Sequence, residues 1–223
     1  IFFPHFRFEE IKKSIAASPR GSVFVLENLR FLKGEEKNDL KFAKKLASLA
    51  DFYVNEAFAV SHRANASVSA ITRFLKSYAG LGLEKELKNL SRVIKKPKKP
   101  LVVVLGGAKA EDKLGIVKFF KDKADWFLLG GAPGNTLLKL KGIDIKDSVA
   151  DRRNPSRFKS FLRYHNLILP VDFVFYSRRI LDVGDKTSRV FNAKIAEAKT
   201  IIWNGPLGLI EDPRFVRGTL DLV

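Results

Sequence analysis

Two glycines and two lysines carry the first hint of chemistry in this chain. Gly106 and Gly107 break an apolar run, and Lys109 and Lys113 follow within the next six residues. A glycine pair carries no Cβ, so the backbone can turn sharply there and come close to a ligand. The lysines add two cations beside it, which together describe a site for an anion. The spacing is neither the phosphate-loop pattern G-x-x-x-x-G-K-[ST] nor the dinucleotide fingerprint G-x-G-x-x-G. A plain strand-to-helix turn with two solvated lysines fits the same four residues.

The elements around the pair decide what it faces. Leu101 to Leu105 is Leu and Val without polar alternation, the pattern of a strand buried on both faces of a parallel sheet. A helix starting near Asp112 aims unpaired N–H groups and a positive dipole end at the turn. The arrangement recurs twice. Asp125 to Leu129 runs into Gly130-Gly131, with a helix over Asn135 to Lys141, and Thr200 to Trp203 runs into Asn204-Gly205-Pro206-Leu207-Gly208, with Glu211 beyond. Three strands therefore end on glycine-rich turns. In open parallel sheets ligands bind in the crevice at the strands' carboxyl ends, so these turns predict a composite nucleotide or phosphate site.

Upstream, Phe8 to Ser18 has helical spacing, Val23 to Glu27 reads as a strand running toward Arg30, and Asn38 or Asp39 caps a helix with Leu40, Ala43, Leu46 and Ala47 on one stripe. Phe52 to Asn55 is a strand, and Ala59 to Ser67, with His62 and Arg63, has loop composition. A helix over Ala79 to Lys96 carries acids early and lysines late, matching its dipole, and Pro97-Lys98-Lys99-Pro100 ends it as a hinge or boundary. Further on, Pro155 to His165 reads as helical, Leu167 to Phe175 as extended and Arg189 to Ala198 as helical. Helix and strand alternate, as expected of an α/β fold.

Composition narrows the classes. With 41 Lys and Arg against 24 Asp and Glu the net charge is +17, enough to attract polyanions such as nucleic acid, a membrane surface or phosphorylated metabolites; a generic basic surface fits the same number. The absence of cysteine excludes disulfides, thiolate metal sites and a cysteine nucleophile. His5, His62 and His165 lie too far apart in sequence for a zinc motif, so no metal site is expected. No apolar run approaches a membrane span and Ile1 to Phe8 is too short for a signal peptide, which makes cytoplasm the default expectation. The chain has no methionine and both ends are apolar, the ends expected of a piece of a longer protein.

Six segments, taken in order, resemble the signatures of the phosphoglycerate kinase family: LENLRF at Leu26 to Phe31, YVNEAFAVSHRANAS at Tyr53 to Ser67, AGLGLEKEL at Ala79 to Leu87, LGGAKAEDK at Leu105 to Lys113, LPVDFV at Leu169 to Val174 and WNGPLGLIE at Trp203 to Glu211. The resemblance implies two Rossmann-like parallel-sheet lobes joined by a long helix, both truncated here. Residues 1–78 would be what remains of a phosphoglycerate-binding lobe, 79–97 the interdomain helix and hinge, and 98–223 an incomplete nucleotide-binding lobe. It further implies phosphoglycerate held by Arg30 and Arg63 with His62 beside them, and Lys109 and Lys113 at the transferring phosphoryl group. Gly107, Gly130, Gly131, Lys113, Asn204 and Glu211 would hold ATP or ADP, with Mg²⁺ carried on the nucleotide. A cytoplasmic glycolytic monomer follows from the same likeness.

Several family features are missing or altered. The D-F-N-x-P and H-L-G-R segments have no counterpart in Ile1 to Pro19, and the G-G-G-[DN]-[ST] and T-G-G-G-A segments lie beyond Val223. Ala132 stands where a third glycine is usual, with Pro133 following; the stretch from Val174 to Leu181 is short; and Asp185 replaces a proline. These departures imply a chain that binds one substrate and does not complete the reaction alone. The alternative is a non-catalytic basic α/β protein holding nucleic acid or another polyanion. The phenylalanines sit mostly in core-like runs and no recognition signature appears, so nucleic acid is not the expected partner.

Overall fold

The computed structural model describes residues 1–223, and the chain divides into two compact units, Ile1–Arg92 and Val93–Val223.

The first unit runs β1 (Phe2–Phe3), α1 (Phe8–Ala17), β2 (Val25–Leu26), a 3₁₀ turn (Leu29–Phe31), α2 (Lys33–Glu36), α3 (Leu40–Ala47), β3 (Phe52–Asn55), 3₁₀ turns at Phe58–Val60 and Ala70–Arg73, and β4 (Lys76–Ala79). The strands form two separate parallel pairs, β1 with β2 and β3 with β4. Asp39 caps α3 through its carboxylate, which accepts from the Phe42 N–H at 2.7 Å. The stripe behind that cap, Ala43, Leu46 and Ala47, is buried, with Leu46 and Ala47 packed with Ile71 against Phe42 and Tyr53. The outward face of the second pair stays open, with Phe52, Val54 and Tyr78 exposed. Helix α4, Leu81–Lys95, begins in this unit and contains the division point.

The second unit continues β5 (Leu101–Leu105), α5 (Ala110–Phe120), β6 (Trp126–Leu129), α6 (Gly131–Leu140), a 3₁₀ stretch (Pro155–Arg163), β7 (Leu167–Ile168), β8 (Phe173–Tyr176), β9 (Arg179–Val183), α7 (Asp185–Glu197), β10 (Thr200–Asn204), a 3₁₀ turn (Pro213–Phe215) and α8 (Arg217–Leu220). Four strands make one parallel sheet in the order β10-β5-β6-β7. Strand β5 lies inside it and every residue is fully buried. Leu101, Val103 and Leu105 point into one core with Leu114, Phe127 and Leu137, while Val102 and Val104 point into another with Leu128 and Phe191. Two apolar layers on one strand explain its unbroken Leu and Val run.

The structure revises several boundaries. Helix α6 starts at Gly131, four residues before the expected Asn135, because Pro133 falls in the first turn, where its missing N–H costs no helical hydrogen bond. Helix α5 starts at Ala110 and α7 at Asp185. The stretch from Leu167 to Phe175 is two strands in two sheets, since β7 joins the parallel sheet and β8 pairs antiparallel with β9. Pro155–Arg163 is helical as read, in 3₁₀ form.

Candidate functional site

The carboxyl ends of β5, β6 and β10 lie side by side, so their glycine turns meet. The Gly106 N–H donates to the Asn204 carbonyl at 3.1 Å and the Gly107 N–H to the Pro206 carbonyl at 2.7 Å. On the other side Gly130 N–H donates to the Leu105 carbonyl and Ala132 N–H to the Gly107 carbonyl, both at 2.8 Å. The approach is close enough to exclude side chains. A Cβ on Gly106 would collide with the Pro206 carbonyl oxygen, and one on Gly131 would lie 2.7 Å from both the N and the O of Gly107. Gly107, Gly131 and Gly205 also have φ of +80°, +50° and +87°, in the left-handed region that favours glycine.

Above the turns lies a cavity of about 180 Å³. Gly107, Ala108, Gly131 and Ala132 form its backbone floor, and Val149, Ile180, Leu181, Leu207 and Leu209 its apolar walls, with Glu211 on the lining as well. Of the residues expected at a nucleotide site, the fold brings Gly107, Gly131 and Glu211 to this cavity. Gly130 is buried against Leu207, off the lining. Lys113 and Asn204 meet each other, the ammonium donating to the Asn204 Oδ1. Lys109 is exposed at the N-cap of α5, with no side-chain hydrogen bond. Leu207 belongs to the third glycine turn, but the walls at Val149 and Ile180 were not among the expected residues, because they come from a loop and a hairpin that no local pattern assigns to the turns. Asn135, 4% exposed, is another: its amide donates to the Val149 carbonyl at 3.0 Å and fixes that wall.

In the first unit, Arg30 sits in a 3₁₀ turn capped by Asn28, whose Oδ1 accepts from the Arg30 N–H at 3.1 Å. Arg63 and His62 lie on the loop after Phe58–Val60, and all three side chains are exposed. Their loop is held from below. Buried Glu35 accepts from the Ser67 N–H at 2.9 Å and the Ser67 hydroxyl at 2.6 Å, and the Glu35 carbonyl accepts from Ala66. Burial, and then the Glu35 charge, push the Tyr53 phenol up. At the start of α4 the Glu56 carboxylate accepts from the N–H groups of Gly82 and Leu83 at 3.3 and 3.1 Å. It occupies the space a Cβ on Gly80 or Gly82 would need.

One buried carboxylate follows directly on the wall residues Ile180 and Leu181. Asp182, 2% exposed, accepts from the N–H groups of Val183 and Gly218, each at 2.8 Å, and pins the segment after Gly208 to β9. Burial pushes its carboxyl up despite those bonds, with Asp221 adding to the rise. The raised folded pKa means its contribution to stability is fully present below the unfolded value of about 4 and is lost as pH rises through the folded value. Asp182→Asn does not ionise, so the stability of the native chain minus that of the variant should fall between pH 3.5 and pH 7, roughly spanning that titration, in urea unfolding. A difference that grows with pH would reject this assignment.

Similarity to known proteins agrees with this geometry. A family model described as "Phosphoglycerate kinase" matches residues 1–223. The phosphoglycerate kinase of Dictyoglomus turgidum is 39% identical over 235 residues, covering 95% of this chain and 59% of that protein. That of Pseudothermotoga lettingae is 39% identical over 245 residues, covering 98% and 62%. Among solved structures, phosphoglycerate kinase from Coxiella burnetii superposes with a TM-score of 0.77 at 35% identity, covering 92% of this chain and 59% of that one. The enzyme from Pyrococcus horikoshii OT3 does so with 0.84 at 28%, covering 100% and 64%. The chain thus spans about three fifths of the length of these relatives. With a family model matched along every residue and a parallel sheet whose glycine turns lock together as described, this chain belongs to the phosphoglycerate kinase family.

Proposed function

We propose that this chain is the central part of a phosphoglycerate kinase, a phosphotransferase with a carboxyl-group acceptor. The reaction is reversible transfer between 1,3-bisphosphoglycerate and ADP, giving 3-phosphoglycerate and ATP. Residues 1–78 are the remainder of the phosphoglycerate lobe, 79–97 the interdomain helix and hinge, and 98–223 the nucleotide lobe. The observation that carries the reading is the cavity over three interlocked glycine turns with the Lys113–Asn204 pair at the same strand ends.

Each part has a physical role. The cavity's apolar walls take a flat heterocycle, and the exposed Glu211 carboxylate accepts from ribose hydroxyls. Lys113, one turn into α5, already has its ammonium on Asn204 at the end of β10, and it contacts the phosphates with the α5 amino terminus behind it. Lys109 at the cap adds the second cation. Charge spreads over the equatorial oxygens in phosphoryl transfer, so fixed cations supply most of what the protein contributes. Arg30 and Arg63 have no carboxylate partner, which leaves both guanidiniums open for phosphate or carboxylate forks. His62 stands next to Arg63 as a polar neighbour. Mg²⁺ enters on the nucleotide as part of the substrate.

Trp203 gives the test its signal, since its indole N–H donates to the Gly205 carbonyl at 2.9 Å inside one of the turns. Titration of the 223-residue chain with MgADP should change the tryptophan emission saturably. Lys113→Met should weaken binding by about 10- to 100-fold, the worth of one charge-assisted hydrogen bond. A coupled assay with 3-phosphoglycerate and MgATP should show no turnover by these residues alone. Equal MgADP affinity in Lys113→Met, or no saturable change in either protein, would reject the nucleotide assignment.

A further inference from the structure

The opposite end of the same sheet carries a feature that the proposed kinase site does not use. Because β10, β5, β6 and β7 are all parallel, the four turns leading into them lie in a row at their amino ends. Each turn is basic. Lys199 precedes β10, Lys95, Lys96, Lys98 and Lys99 precede β5, Lys121 and Lys123 precede β6, and Arg163 precedes β7 beside His165. Eight Lys and Arg side chains stand there against three carboxylates, Asp122, Asp125 and Glu197. Asp125 is already committed to Lys99 at 3.1 Å and to the Leu101 N–H.

The turns are stitched together by backbone contacts, so the row is fixed. Thr200 Oγ1 donates to the Lys98 carbonyl at 2.8 Å and the Lys199 N–H to the Pro100 carbonyl at 3.0 Å. The Lys123 ammonium donates to the Ile94 carbonyl at 3.0 Å, and the Lys99 ammonium donates to the Lys123 carbonyl. Phe119 lies in the same cluster, 56% exposed, with Lys123 Nζ 5.0 Å from its ring centre. At the β7 end, Arg163, Tyr164 and His165 edge a shallow cavity of about 230 Å³ with Lys121. Lys96, Lys98, Lys199 and Arg163 make no ion pair in the structure.

We propose that this end of the sheet is a binding track for a single-stranded polynucleotide. The sequence alone scatters these lysines over more than a hundred residues, whereas the strand order lines them up across three strand spacings, about 14 Å. A linear row of cations, with Lys96, Lys98, Lys199 and Arg163 unpaired, suits a linear polyanion, and an exposed ring within it offers a face on which a base can stack. A bilayer surface fits less well. It favours apolar groups that insert, and Phe119, more exposed than Ile94 or Ile201 nearby, is capped by a cation.

The test is fluorescence anisotropy of a labelled oligouridylate of about 15 nucleotides, titrated with the intact chain over a range of salt. The triple variant Lys96→Gln, Lys98→Gln, Lys199→Gln should lose at least tenfold in affinity. The slope of log K against log salt should become shallower by about 2. A control with the same charge change elsewhere, Lys41→Gln, Lys44→Gln, Lys45→Gln, should lose less than threefold. Phe119→Ala should lose about fivefold or more, as expected for a stacked base. Saturating MgADP should leave the affinity unchanged, because the cavity is at the other end of the strands. Equal losses in the two triple variants, displacement by MgADP, or no binding near 0.1 M salt would overturn the proposal. So would binding to phosphatidylserine vesicles through the same lysines that the oligonucleotide fails to displace.

Discussion

Gly106→Ala should abolish MgADP binding and destabilise Val93–Val223 by about 3 kcal/mol, whereas Gly115→Ala, nine residues on, should stabilise it by about 0.5 to 1 kcal/mol. The new Cβ at Gly106 would run into the Pro206 carbonyl, which is already accepting from Gly107 at 2.7 Å. Backbone cannot swing aside as a flexible side chain can. The turn must open, and the Gly107–Pro206 and Ala132–Gly107 hydrogen bonds open with it. Gly115 differs in every respect that matters. It is exposed in the interior of α5, a Cβ there meets nothing within 4 Å, and alanine is the better helix former. Urea unfolding of both variants, followed by far-ultraviolet circular dichroism, checks the pair. Equal midpoints would mean that the interlock of the turns contributes nothing.

Asp172→Ala should cost about 2 to 3 kcal/mol at neutral pH, and the cost should shrink in acid. The carboxylate accepts from the Lys186 N–H at 2.9 Å, the Thr187 N–H at 2.8 Å and the Thr187 hydroxyl at 2.6 Å, so it caps α7 from fourteen residues away. Gly184 leaves the space it fills. Burial pushes this carboxyl up, but the bonds from Thr187 and Lys186 outweigh it and hold the group below the usual carboxylate range. A depressed folded pKa makes the contribution present above the unfolded value of about 4 and lost as pH falls through the folded one. Urea midpoints of the native and variant chains at pH 7 and pH 3 should therefore converge at the lower value. Parallel offsets at both pH values would show that the residue acts by packing alone. Asp182 slopes the other way, because its deeper burial outweighs its two N–H bonds, whereas three bonds outweigh burial at Asp172.

Strands and helices with strong local patterns were legible before any coordinates. Leu101 to Leu105 and Phe52 to Asn55 form as read, and Ala79 to Lys96 becomes Leu81–Lys95. What failed depended on distant partners. Nothing within Leu167 to Phe175 reveals that its halves join different sheets, and the pairing of Arg179–Val183 with Phe173–Tyr176 is set by a bulged hairpin. At the site, the glycines were legible because a missing Cβ is written in the residue type. The walls at Val149 and Ile180 were not, since ordinary aliphatic residues acquire a role only from where the chain carries them. Lys113 was legible as a cation near the turn, but its partner Asn204, ninety-one residues on, was placed by the pairing of β10 with β5.

The meeting of the three glycine turns also bears on how this chain can drift. At Gly106, Gly131 and Gly205 the backbone of a neighbouring turn fills the space a side chain would need, so no one of them can gain an atom while the other turns stay where they are. The atoms such a side chain would meet are backbone, at positions encoded about twenty-five to a hundred residues away. Substitution by single steps is closed off there. The outward faces of the loops above, around Val149 and Leu209, meet no such constraint. Inherited variation in the cavity's shape therefore has to accumulate in its walls, while its floor stays fixed.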